Sequence, residues 1–153
     1  MSGMFTHEIE ESILIDAPPT EVWSILTDLA SWSDWNTFVI KAEVQPPHDR
    51  LAVAPPPLRG PRGRVGELRW GGAWLHALVL DTQHWCLVQP EGEDGRQTLF
   101  TQGELFSGLM VPVTRAMGLF EQLRTGYDRM NEDLRRRAEG DGGDGGGVSE
   151  GKY

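Results

Sequence analysis

Residues 107–138, SGLMVPVTRAMGLFEQLRTGYDRMNEDLRRRA, carry the strongest periodic pattern in the 153-residue chain. Val113, Met117, Phe120, Leu123, Tyr127, Met130 and Leu134 recur every three or four residues, the spacing that lines up one face of an α-helix. The pattern predicts a single helix with Ser107 as N-cap and Pro112 in its first turns, running to about Ala138. At ~1.5 Å per residue such a helix is roughly 40 Å long. Arg135, Arg136 and Arg137 suit its negative end, and Glu132 with Arg136 and Asp133 with Arg137 form favourable pairs one turn apart.

Upstream of this segment the pattern changes to that of strands. Gln83–Gln89 and Gln97–Phe106 flank the turn signal Glu91-Gly92-Glu93-Asp94-Gly95 and predict an antiparallel hairpin. Two further strand-like runs, Arg64–Trp70 and Trp74–Leu80, precede it. Before these lies a proline-rich segment over residues 46–63, which holds six of the ten prolines and is read as a loop with a short strand at Leu51–Val53. No two of those prolines stand three apart, so it lacks the spacing of a polyproline ligand. Phe38–Val44 alternates apolar and polar residues and predicts a half-buried strand. Ser12–Asp16 predicts the first strand, and Ala17-Pro18-Pro19 ends it and opens a helix in which Val22, Ile25, Leu26 and Leu29 share a face. Asp16 or Thr20 is expected to cap that helix, and Asp28–Asp34 forms a second short helix or turn.

This order predicts an α+β domain over residues 5–138: a curved antiparallel sheet wrapped around a long C-terminal helix, with two short helices after the first strand. Residues 139–153 are rich in glycine and acid and are expected to form a disordered tail. A domain of this size buries enough surface to fold without disulfide or metal. Six tryptophans supply large contact surfaces for a core or a pocket. The net charge of −9 opposes nucleic acid and anionic membranes, and only Arg59, Arg62 and Arg64 form a local basic patch. Met1–Glu11 lacks the apolar run of a signal peptide, and no stretch approaches the ~20 apolar residues of a membrane span. With a single cysteine, Cys86, no internal disulfide is possible, and the chain is read as soluble and cytoplasmic.

Signals for chemistry are sparse. His7, His48, His76 and His84 show no metal-ligand spacing, no nucleotide-binding motif is present, and neither metal nor cofactor is expected. Cys86, in the apolar run His84–Val88, reads as a small hydrophobe. Glu104 stands between apolar neighbours just before the last helix. Facing a cavity, its pKa would be raised by desolvation, making it an acid, base or polar anchor; facing outward or paired with an arginine, it would fix the strand–helix junction. His84 carries the same ambiguity, because a one-residue slip of the hairpin reverses its face. Trp35, Phe38 and Trp70, with Met117, Phe120 and Tyr127, are candidate ligand-contacting residues, with ordinary core packing as the alternative.

Several strings together resemble the START/Bet v 1-like (SRPBCC) helix-grip superfamily, in its polyketide cyclase/dehydrase-like branch. They are Ile13-Leu14-Ile15-Asp16-Ala17-Pro18-Pro19-Thr20-Glu21-Val22-Trp23, Leu26-Thr27-Asp28, Trp32, Trp35-Asn36, His84 in its strand, and Gly103-Glu104-Leu105-Phe106-Ser107-Gly108-Leu109. The proline-rich segment stands where such proteins have a longer stretch with two strands. The resemblance implies an apolar cavity between sheet and helix that binds a hydrophobic small molecule: a lipid, isoprenoid or polyketide. It also admits a cyclase or dehydratase in which Glu104 or His84 moves protons, or a co-chaperone-like protein-interaction domain.

Overall fold

A computed structural model describes residues 5–38, 52–54, 66–74 and 79–140 of the chain. The elements run β1 (Thr6–Ile15), α1 (Pro19–Thr27), a 3₁₀ turn (Leu29–Ser31), α2 (Trp32–Trp35), β2 (Ala52–Ala54), β3 (Gly66–Trp74), β4 (Leu80–Glu91), β5 (Gln97–Ser107), α3 (Val111–Ala116) and α4 (Leu119–Glu139). The strands form one antiparallel sheet in the order β1-β5-β4-β3-β2. With α4 laid along its inner face, the chain has the α+β helix-grip architecture.

The inner face follows from alternation along each strand. Ile9 and Ile15 on β1, Leu68 on β3, Cys86 and Val88 on β4, and Phe100 and Phe106 on β5 are all buried. Met130, Leu134 and Ala138 of α4 close over them together with Val22 and Leu26 of α1 and Trp32 of α2. A second apolar cluster, Ile9, Phe106, Val111, Phe120 and Tyr127, fills the other end. Full burial of such a side chain contributes about 1.5–3 kcal/mol. Trp32 also ties α2 to α1, its indole N–H donating to the Leu26 carbonyl at 3.1 Å.

Several expectations need correction. The C-terminal segment is two helices, because Gly118 adopts a left-handed conformation (φ 70°) between α3 and α4. Val113 and Met117 therefore leave the buried face and are 45% and 64% exposed. Ser107 ends β5 instead of capping a helix; Met110 precedes α3, with no side-chain cap. Pro18 occupies the N-cap of α1 without a side-chain bond; the Asp16 carboxylate accepts from Gln97 (3.3 Å), and its N–H donates to Glu139 (2.8 Å). Glu132 pairs with Arg135 at 2.7 Å, and Asp133 accepts from Thr37. Gly71 and Gly72 do not interrupt β3, since they stay in register with Gln83 and Thr82. Trp74 thus closes β3 and Leu80 opens β4, while residues 75–78 of the strand expected there lie outside the described residues. Most of the predicted strand Phe38–Val44, the basic patch and residues 141–153 lie outside them too. Among the described residues no helix is long and apolar enough to cross a membrane.

Gly126 decides how the segment after α2 meets α4. The Phe38 ring lies so close to it that a Cβ at 126 would overlap the ring. Thr37 holds this arrangement, its N–H and hydroxyl both donating to Asp133 Oδ2 (2.9 and 2.6 Å). Glycine inside an open helix is about 1 kcal/mol worse than alanine. Here the added methyl must displace Phe38, so Gly126→Ala is expected to lose about 1–3 kcal/mol in urea unfolding. Stability equal to or above wild type would contradict the contact.

Candidate functional site

His84 and Glu104 are direct partners across β4 and β5, and Trp70 is the partner of His84 on β3. All three share the inner face with Cys86, Leu68 and Phe106, which settles the register ambiguity for His84 and Glu104. From α4, the Tyr127 hydroxyl donates to Glu104 Oε2. His84 Nδ1 lies 3.6 Å from the same oxygen, too long for a good hydrogen bond but close enough for a strong electrostatic contact. Trp70 stacks on the imidazole (centroids 4.0 Å apart, planes at 16°), and Tyr127 meets it edge-on at 5.2 Å. Phe38 in turn meets Tyr127 edge-on at 5.6 Å.

The charges follow from these neighbours. Burial pushes the Glu104 carboxyl up, but His84, Tyr127 and Thr82 outweigh it and hold the group below the ordinary value of 4.5. The expected rise is therefore reversed, and Glu104 pairs with a histidine and a phenol, not an arginine. Burial, followed by the charge and hydrogen bond of Glu104, pushes the Tyr127 phenol up, so it stays a proton donor. On its other side, His84 Nε2 lies 3.7 Å from the Cys86 thiol sulfur. Cys86 itself is fully buried, which pushes its thiol far up and keeps it protonated.

The remaining candidates are distributed around this group. Trp35 reaches it through Trp32, with ring centroids 6.0 Å apart from Trp35 to Trp32 and again from Trp32 to Trp70. The buried Trp35 Nε1 has no hydrogen-bond partner among the described residues. Phe120 packs in the same cluster as Tyr127 and stacks on His7 at 3.9 Å. Met117, exposed at the end of α3, is not brought into the group. Gln102 and Asn131, both buried and polar, escaped the sequence reading. Gln102 follows from the period of two before Glu104, and Asn131 from the helical step of four after Tyr127. Gln102 Nε2 donates to Asn131 Oδ1 (2.6 Å) and to the Tyr127 carbonyl (3.2 Å), bridging sheet and helix. Among the described residues, no three His, Cys, Asp or Glu side chains gather so as to hold a metal ion. An open groove of about 360 Å³ lies on the outer sheet face around Trp85, and it includes neither Glu104 nor any candidate ligand residue.

What the arrangement offers chemically is an ionised carboxylate, a neutral phenol and an imidazole among aromatic rings. A carboxyl that ionises more readily folded than unfolded adds stability that is complete above its unfolded pKa and lost as pH falls through the folded value. The stability advantage of wild type over Glu104→Gln is therefore expected to be greatest near neutrality and to shrink across the acid range below the ordinary value of 4.5. Urea midpoints measured across that range check this, and parallel curves would contradict it.

Comparison with known proteins agrees with this architecture. A family model described as polyketide cyclase / dehydrase and lipid transport matches residues 6–107. No curated protein matches the sequence. Among solved structures, the Zhui aromatase/cyclase from Streptomyces sp. R1128 is similar at a TM-score of 0.62 and 14% identity, covering 94% of this chain and 100% of that one. The di-domain aromatase/cyclase BexL from the BE-7585A biosynthetic pathway is similar at 0.56 and 16%, covering 88% of this chain and 50% of that one. Norcoclaurine synthase from Thalictrum flavum, in complex with dopamine and hydroxybenzaldehyde, is similar at 0.54 and 10%, covering 90% and 88%. At such identities these likenesses speak for the fold alone. The family model spans two thirds of the sequence, from β1 through β5, and the chain belongs to the polyketide cyclase / dehydrase and lipid transport family.

Proposed function

We propose that the domain over residues 5–138 binds a hydrophobic small molecule of lipid, isoprenoid or polyketide type between the inner face of the sheet and α4. In this reading Trp35, Phe38, Trp70, Phe120 and Tyr127 supply contact area, and Glu104 is the polar anchor. The observation that carries it is the ionised Glu104 on the inner wall, beneath α4 and framed by Trp70, His84 and Tyr127. Apolar walls with a few convergent polar groups are how small hydrophobic ligands are held and oriented. The family description supports the same class of ligand.

The hydrogen-bonded pair Tyr127–Glu104 beside His84 favours one second reading, an enzyme of cyclase or dehydratase type. Glu104 would take a proton from a carbon flanked by carbonyls, and the phenol or the imidazole would supply one to the oxygen that gains charge. A pocket that folds a poly-carbonyl chain would add the gain of proximity.

Native mass spectrometry after gentle purification is expected to show the chain carrying a lipophilic molecule. A clean apo mass, with no binding in a lipophile screen, would overturn both readings. Glu104→Gln then separates them. Retained binding with loss of turnover marks the enzyme, whereas weakened binding, with no turnover in either protein, marks a carrier anchored at Glu104.

A further inference from the structure

We propose that Gln102 is a specificity-determining residue whose side-chain carbonyl receives a hydroxyl group of the bound molecule, so that a hydroxylated ring compound is preferred to a plain acyl chain. The inference rests on the binding reading above and deepens it.

Gln102 is fully buried on the inner face, two residues from Glu104 on β5 and paired across the sheet with Cys86 and Glu11. Its amide nitrogen makes both of the bonds it can offer, to Asn131 Oδ1 and to the Tyr127 carbonyl. The Tyr127 carbonyl can only accept, so the nitrogen must face α4 and the amide cannot be turned the other way. Among the described residues its oxygen, Oε1, is left buried with no hydrogen-bond partner.

Buried amide oxygens are almost always satisfied, and an orphan is costly. A core needing only apolar filling would be served at this position by leucine or methionine. The arrangement instead spends both N–H groups on α4 and presents a bare acceptor to the interior, in the same wall as Glu104. What completes it is a donor: an O–H or N–H, not a carbonyl or an alkyl chain. The rings around Tyr127, from Phe38, His84 and Trp70, favour a flat aromatic body bearing that donor. A phenolic hydroxyl fits both requirements.

Calorimetric titration of 1-naphthol and naphthalene into wild type and Gln102→Met tests this, because the two probes differ only in the hydroxyl. Gln102→Met is expected to lose about tenfold in affinity for 1-naphthol, the worth of one neutral hydrogen bond, and to keep naphthalene binding within about twofold. An equal loss for both probes, or none, would overturn the role of Gln102 while leaving the binding site standing. If wild type binds neither probe, the preference for a hydroxylated ring is overturned, while the binding reading stands or falls with the lipophile screen. Should the variant not fold, carbon-13 NMR of wild type decides: the Gln102 Cδ resonance is expected to move with 1-naphthol and stay put with naphthalene. A resonance indifferent to both would mean that something other than ligand, such as an internal water, satisfies the oxygen.

Discussion

The pairing of His84 with Glu104 across β4 and β5 sets which side chains the sheet turns toward α4. Because side chains alternate along a strand, this one register assigns Leu68, Trp70, Cys86, Val88, Phe100, Gln102 and Phe106 to the interior together. A slip by one residue would place Trp85, Leu87 and Leu105 inside and expel both the core and the ionisable group. The apolar residues hold the register, since they outnumber the polar ones on that face. The polar ones then follow at no choice of their own and must find partners on the helix. Tyr127 and Asn131, one turn apart on α4, meet Glu104 and Gln102, two residues apart on β5. Helix pitch and strand rise thus bring two polar pairs into contact along a single seam.

Much of this was legible in the order of residues. The hairpin, the first strand, the helix after Pro18-Pro19 and the apolar face from Phe120 to Leu134 all follow from periodicity and turn chemistry. The break at Gly118 did not, because Val113 and Met117 continue the spacing of three and four across it. An apolar interval of that kind reports a face only where the backbone is continuous, and a single left-handed glycine resets the phase. Glu104 shows a different limit. Its position between apolar neighbours correctly marked it as unusual, yet the direction of its pKa depended on His84, 20 residues before it, and Tyr127, 23 residues after it. Spacing along a chain cannot disclose such partners.

The outer surface has its own logic. β1 closes one side of the described sheet and carries Glu8, Glu10 and Glu11 within five residues of one another. Charges along a sheet margin discourage another chain from adding a strand there. Glu11 is further held by Arg124 of α4 at 3.2 Å, and His7 by Arg115 of α3 at 3.2 Å, so both helices are tied to that margin. The acidic character of the chain is in this respect a local device as well as a global charge.

Cys86 gives the protein a built-in clock. It is the sole thiol, lies at full depth against the His84 imidazole, and stays protonated while the interior is closed. An alkylating reagent can react with it only when the core around it opens, so the rate of modification counts those openings.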